Sequence, residues 1–164
     1  MALNVDSSRP LVSTAQKREL VEAVRDAATS ESEPDWLEWK STVDLSEKRW
    51  QFEIARFVLG AGNRMPDRAA RAADGHAYML LGVEPRNLCG VARIDNAQLE
   101  QGVSAYTGHD GPHWSPEYVE VDSSDVLLVT IAPPKPGDRI HTLAKEWDVY
   151  RNGTVFVRRA GKTE

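Results

Sequence analysis

The chain has 164 residues with 41% hydrophobic content, enough for one domain with a real core. Apolar runs such as 77–83 and 126–132 are far shorter than the roughly 20 residues of a membrane span, and the N-terminus lacks a basic-then-apolar leader, so a cytoplasmic protein without membrane contact is expected. The lone Cys89 excludes an internal disulfide and a thiolate zinc site, leaving packing as its expected role, and a net charge of -5 argues against unselective binding of polyanions.

Residues 1–12 lack periodicity and read as a flexible N-terminal arm before a domain over 13–164. Ser13 and Gln16 have capping-box spacing, and Leu20, Val21, Val24, Ala27 and Ala28 recur at helical intervals opposite Lys17, Glu22, Arg25 and Asp26, which predicts a surface helix. Trp36 to Lys40 suits a strand, on which Trp36, Glu38 and Lys40 would share one face. Ser46 is placed to cap a second helix striped by Trp50, Ile54, Phe57 and Val58 and stopped by Gly60 and Gly62. The Arg-Ala-rich stretch 64–74 reads as an exposed loop or short helix carrying Arg64, Arg68 and Arg71.

The continuous apolar run 77–83 predicts a central strand buried on both faces. A turn over 84–87 leads to a short return strand at 89–92, and Asp95 with Gln98 caps a helix ended by Gly108. A loop over 109–116 precedes a hairpin of 118–121 and 126–132, which prolines 133, 134 and 136 terminate. Asn152-Gly153 between 148–151 and 154–158 predicts a last, tight type I′ hairpin. The intermixed helices and strands imply an α+β fold: a mixed, mostly antiparallel sheet with helices packed on it, ending in a β-hairpin.

Charge is unevenly spread. Residues 39–72 hold 7 basic and 4 acidic side chains and residues 139–164 hold 6 and 3, whereas 1–38 hold 4 and 8 and 73–138 hold 3 and 10. The two basic segments are the candidates for meeting a polyanion.

Four segments stand in a familiar order: Glu33-x-x-x-x-Glu38-Trp39-Lys40; a helix ending in Gly62-Asn63; Met79-Leu80-Leu81-Gly82-Val83-Glu84 followed by Gly90-Val91; and Tyr150-Arg151-Asn152-Gly153 with Val157-Arg158-Arg159. Their order and spacing, over about 33–162, resemble the Schlafen/AlbA-like domain, also labelled divergent AAA. The chain departs from that pattern where an Arg-Ala-rich insertion and Gly75 follow Asn63, and where Pro85 follows Glu84. The resemblance implies binding of RNA or DNA. It also implies that the chain is one module of a longer protein, since relatives usually continue, and that a single lobe pairs as a homodimer.

Some members of the family are ribonucleases acting on tRNA or rRNA with three acidic residues, which match Glu33, Glu38 and Glu84 here. Carboxylates brought that close repel unless Mg²⁺ or Mn²⁺ lies between them, which makes these three the candidate catalytic residues and metal ligands. Lys40 would steady the developing charge, or simply pair with Glu38 at the surface. Backbone contacts fall to Arg64, Arg68 and Arg71 and to Arg151, Arg158, Arg159 and Lys162, although alternation puts Arg158 and Arg159 on opposite faces. Tyr150 and Phe156 are candidates for stacking on bases, with one of them expected in the core. ATP binding is not expected, because Phe156 stands where a phosphate loop ending in Gly161-Lys162-Thr163 needs glycine. His109 and His113 read as plain loop residues. The alternative outside nucleic-acid binding is a regulatory protein-interaction domain, which the acidic balance permits.

Overall fold

The computed structural model describes residues 3–164, so the first two residues of the expected arm lie outside the described residues. The rest of that arm is tied down, with Leu11 N–H donating to the Tyr78 hydroxyl (2.8 Å) and Ala73 N–H to the Ser7 carbonyl (2.6 Å). Leu3, Val5 and Leu11 pack on the core, so partial burial of three apolar side chains overrides the weak local pattern.

Helix α1 (Thr14–Asp26) starts at the expected capping box, and its buried residues are Leu20, Val21 and Val24. Strand β1 (Leu37–Lys40) leads into α2 (Lys48–Gly62), whose N-cap position is Glu47 rather than Ser46 and has no side-chain capping bond. The Ser46 hydroxyl instead donates to Asp44 (2.6 Å). This helix runs through Gly60 and ends at Gly62 as expected, and both positions are needed small: a Cβ on Gly60 would lie 2.5 Å from Thr163 Cγ2, and one on Gly62 would run into the Pro112 ring.

A short helix α3 (Pro66–Ala69) and a 3₁₀ turn (Ala73–Gly75) fill the Arg-Ala stretch before β2 (Ala77–Leu81). Then come β3 (Val83–Glu84), β4 (Asn87–Leu88), α4 (Asn96–Thr107), β5 (Trp114–Val121), β6 (Ser124–Ile131), β7 (Arg158–Arg159) and β8 (Lys162–Thr163). The main sheet has the order β1-β2-β6-β5, parallel only between β1 and β2, so the α+β fold with a mixed, mostly antiparallel sheet is the one observed.

Strand β2 is buried throughout, and its alternation divides the core. Tyr78 and Leu80 face α1 together with Leu37, Trp39, Val126 and Leu128. Ala77, Met79 and Leu81 face α2 and α4 with Leu127, Val129 and Ile131, around Phe52, Phe57, Leu99 and Val103. Each such fully buried Leu or Phe contributes about 1.5–3 kcal/mol of transfer free energy. No helix among the described residues is long and apolar enough to cross a membrane.

Four further expectations are corrected. The return strand at 89–92 is absent, since Glu84 and Asn87 already close a two-residue hairpin with Arg86 at φ 66°. Cys89 is exposed, its thiol donating to Asn87. Strand β5 begins at Trp114, within the expected loop, and tolerates Pro116 because it is an edge strand.

The hairpin around Asn152-Gly153 does not form. A two-residue turn there would pair Tyr150 with Val155 and Val149 with Phe156, sending the two aromatic rings to opposite faces. Both rings instead pack on Phe52 and on each other at 5.1 Å, leaving Val149 and Val155 exposed. Of the two turn residues only Gly153 has positive φ, whereas type I′ needs both. The terminal hairpin is β7–β8, closed at Gly161.

Candidate nucleic-acid interface

Glu38 and Lys40 alternate onto the α2 side of β1, while Leu37 and Trp39 pack toward α1. Trp36 does not share the Glu38 face: it precedes the strand and is buried with Leu37 and Trp39. The terminal hairpin closes over the Glu38 side. Gly161 N–H donates to the Glu33 carbonyl (2.8 Å), and Arg56 of α2 donates to the Thr163 carbonyl (2.6 Å). Asn63, at the end of α2, holds the preceding segment by donating to the carbonyls of His141 (2.8 Å) and Phe156 (2.9 Å) and accepting from His141 N–H (2.8 Å).

The result is a cleft of about 230 Å³ in which Glu33, Glu38 and Glu53 meet Lys40, Arg56, Arg158 and Lys162. Arg158 is its anchor, with a side chain 0% exposed. Its guanidinium donates to Glu38 Oε2 (2.7 Å), to the carbonyls of Leu37 (2.8 Å) and Pro34 (3.3 Å), and more weakly to Glu33 Oε2 (3.4 Å). Lys40 Nζ lies 2.9 Å from Glu38 Oε1 and 3.9 Å from Glu33 Oε1, which also accepts the Trp39 N–H at 2.9 Å. Burial raises the Glu33 carboxyl above its ordinary value, against the lowering effects of the Trp39 N–H, Lys40 and Arg158.

Three buried donors in this wall have no partner among the described residues: Arg56 Nε, Arg158 Nε and Thr163 Oγ1. Buried N–H and O–H groups left unpaired cost about 1–3 kcal/mol each, so this wall of the cleft carries unmet hydrogen-bonding capacity.

Of the three acidic residues expected together, Glu33 and Glu38 meet and Glu84 does not. It sits on the β3–β4 hairpin, accepting from Asn87 Nδ2 (3.0 Å), and does not line the cleft. The residues do not fit a three-carboxylate metal site, because the Arg158 guanidinium already bridges Glu33 and Glu38, and no group of three or more metal-ligating side chains occurs among the described residues.

Arg64 and Arg158, expected to grip a backbone, are buried. Arg64 donates to the carbonyls of Ala61 (3.0 Å) and Gly75 (2.6 Å), and burial pushes its guanidinium below its ordinary value. Arg68 and Arg71 are exposed but do not line the cleft. Arg151 pairs with Glu146 at 3.4 Å, while Arg159 (3.5 Å) and Lys162 both pair with Glu164. Sequence reasoning missed Glu53, Arg56 and Thr163. The i, i+3 spacing of Glu53 and Arg56 beside Phe57 was the available signal for the first two, whereas Thr163 had none.

Fold and cleft together define an α+β domain with a buried Arg-Glu cluster opening onto partly exposed Lys40 and exposed Lys162. Comparison of the chain with protein-family models, curated proteins and solved structures finds no match in any of the three.

Proposed function

We propose that this chain is a Schlafen/AlbA-like domain that binds nucleic acid by seating a backbone phosphate at the cleft between β1, α2 and the terminal hairpin. The observation that carries this reading is the set of unpaired buried donors on Arg56, Arg158 and Thr163, beside the partly exposed Lys40 and the exposed Lys162. Phosphate oxygens are acceptors of the charge and geometry those donors lack. Two segments behind the family resemblance line this cleft, the Glu33–Lys40 stretch and the Arg158 hairpin, and a third, the α2 end at Asn63, holds Phe156 in the segment that leads to that hairpin.

With an overall charge of -5, affinity comes from a few local contacts. If Lys40, Arg56 and Lys162 each neutralise one phosphate, the slope of log K against log salt is about -2 to -3. Fluorescence anisotropy of labelled RNA and DNA between about 50 and 200 mM salt measures it. Lys162→Ala should flatten the slope by about 0.7–0.9. Absence of binding at low salt would overturn the reading and favour a protein-interaction domain.

A second reading, endonucleolytic cleavage of bound tRNA or rRNA, is favoured by Glu33, a proton acceptor with a burial-raised carboxyl beside Lys40. Cuts in tRNA made by the parent chain and lost in Glu33→Gln support it. An intact substrate in Mg²⁺, in Mn²⁺ and in chelator leaves binding alone.

A further inference from the structure

A second recess, of about 560 Å³, adjoins the cleft and shares Glu53 and Arg56 with it. Its floor is aromatic. Trp147 and Tyr150 exchange backbone hydrogen bonds of 3.1 and 2.9 Å across a two-residue turn with Asp148 at φ 51°, which fixes them as a cross-strand pair. Both half-buried rings stack on fully buried Phe52, at 5.7 Å and 20° for Trp147 and 5.6 Å and 26° for Tyr150. Arg49 stands at the rim, and the Arg56 guanidinium lies 5.4 Å over the Tyr150 ring, so one arginine touches both recesses.

Building on the phosphate reading above, we propose that the Trp147–Tyr150 ledge stacks an unpaired nucleobase whose backbone phosphate sits in the adjoining cleft, so that the ligand is a single strand. The rings are held before binding, by the turn on one side and Phe52 on the other, so little ordering entropy opposes stacking. Arg49 and Arg56 stand beside the ledge, where the strand would pass into the cleft, and Glu53 and Asp148 in the same lining balance their charge, so stacking rather than net charge carries the contact. A duplex hides its base faces in its own stack and offers this ledge nothing, whereas loops and single strands expose them.

The test uses the intact 164-residue chain and three labelled ligands of one length: a single-stranded RNA, its duplex, and an abasic strand with the same phosphates. Anisotropy should give the single strand at least about tenfold tighter than the other two, with quenching of tryptophan fluorescence. Trp147→Leu keeps an apolar side chain on Phe52 and should weaken the single strand by about five- to 150-fold, while leaving the abasic strand unchanged. The ligand comparison stands even if that variant folds poorly. Equal affinity for single strand and duplex, or for single and abasic strand, overturns the ledge while the phosphate reading survives. No binding to any of the three overturns both. Dimerisation lost in Trp147→Leu, with strand binding unaffected, assigns the ledge to a second copy of the chain and overturns the proposal.

Discussion

Replacing Arg158 by Met tests how the cleft is held together. The substitution keeps most of the stem that lies against Phe57, but removes the cation that donates to Glu38, to the Leu37 and Pro34 carbonyls and to Glu33. Side chains that are 10% and 14% exposed, on Glu38 and Glu33, would then face each other with Lys40 as the remaining nearby cation. Removing one partner of a buried charge cluster costs about 3–5 kcal/mol, because the other charge stays buried and unpaired. For a chain of this length that lowers Tm by roughly 6–20 °C. Urea unfolding followed by far-ultraviolet circular dichroism measures it, with an unchanged m value as the check on two-state behaviour. The loss should be larger at pH 8 than at pH 5, where the stranded carboxyls take up protons. Adding Glu33→Gln and Glu38→Gln to the same chain should recover much of it. A loss below about 1 kcal/mol, or one that does not depend on pH, would refute the reasoning, since solvent would then be screening the stranded carboxylates.

Three further outcomes follow from the same contacts. Burial raises the Glu33 carboxyl in the folded state, so the native chain binds more protons than the unfolded chain above the ordinary glutamate value, and stability from this group is lost as pH rises through the raised one. Glu33→Gln removes that titration, so its stability relative to the parent should improve from pH 4 to pH 7 in urea midpoints; a flat difference would sink the assignment. Gly60→Ala gains about 1 kcal/mol of helix propensity yet brings Cβ to 2.5 Å from Thr163 Cγ2 and 3.2 Å from the Arg158 backbone nitrogen. Overpacking at about 1–3 kcal/mol should win, and Thr163→Ser in the same chain should restore part of the lost Tm; a Gly60→Ala chain more stable than the parent would show the contact to be soft. Asn63→Ala deletes three hydrogen bonds to the segment before β7 and should cost about 3 kcal/mol, with faster amide exchange at His141; unchanged exchange there would mean another group holds that segment.

Local signals were sufficient for the helices and the main sheet. The Ser13–Gln16 box, the α2 stripe, the Asp95 cap with Gly108 beyond it and the wholly apolar run of β2 each encode an element in neighbouring residues, and all four are where the pattern puts them. Half of the candidate site was legible in the same way. Glu38 and Lys40 share a face because a strand alternates, and Glu33 reaches them because its carboxylate accepts the Trp39 N–H.

Tertiary structure alone decided the rest. Asn152-Gly153 does turn, with Thr154 N–H donating to the Arg151 carbonyl (3.1 Å), yet no strands pair out from it, because half-buried Tyr150 and buried Phe156 both pack on Phe52. Arg158 and Arg64 look like surface cations in a sequence. Which arginine is buried depends on carbonyls and carboxylates 11 to 125 residues away, at Gly75, Leu37, Glu38 and Glu33, and no local pattern carries that information. Glu84 matched its motif but follows the Gly82 bend onto a separate hairpin, so its distance from Glu33 and Glu38 is a property of the backbone path. The sequence by itself determined α1, α2, α4 and the central strand β2, and which charges lie near one another in the chain. Long-range packing determined which of those charges share a cleft, because burial of a charge is set by its partners in space.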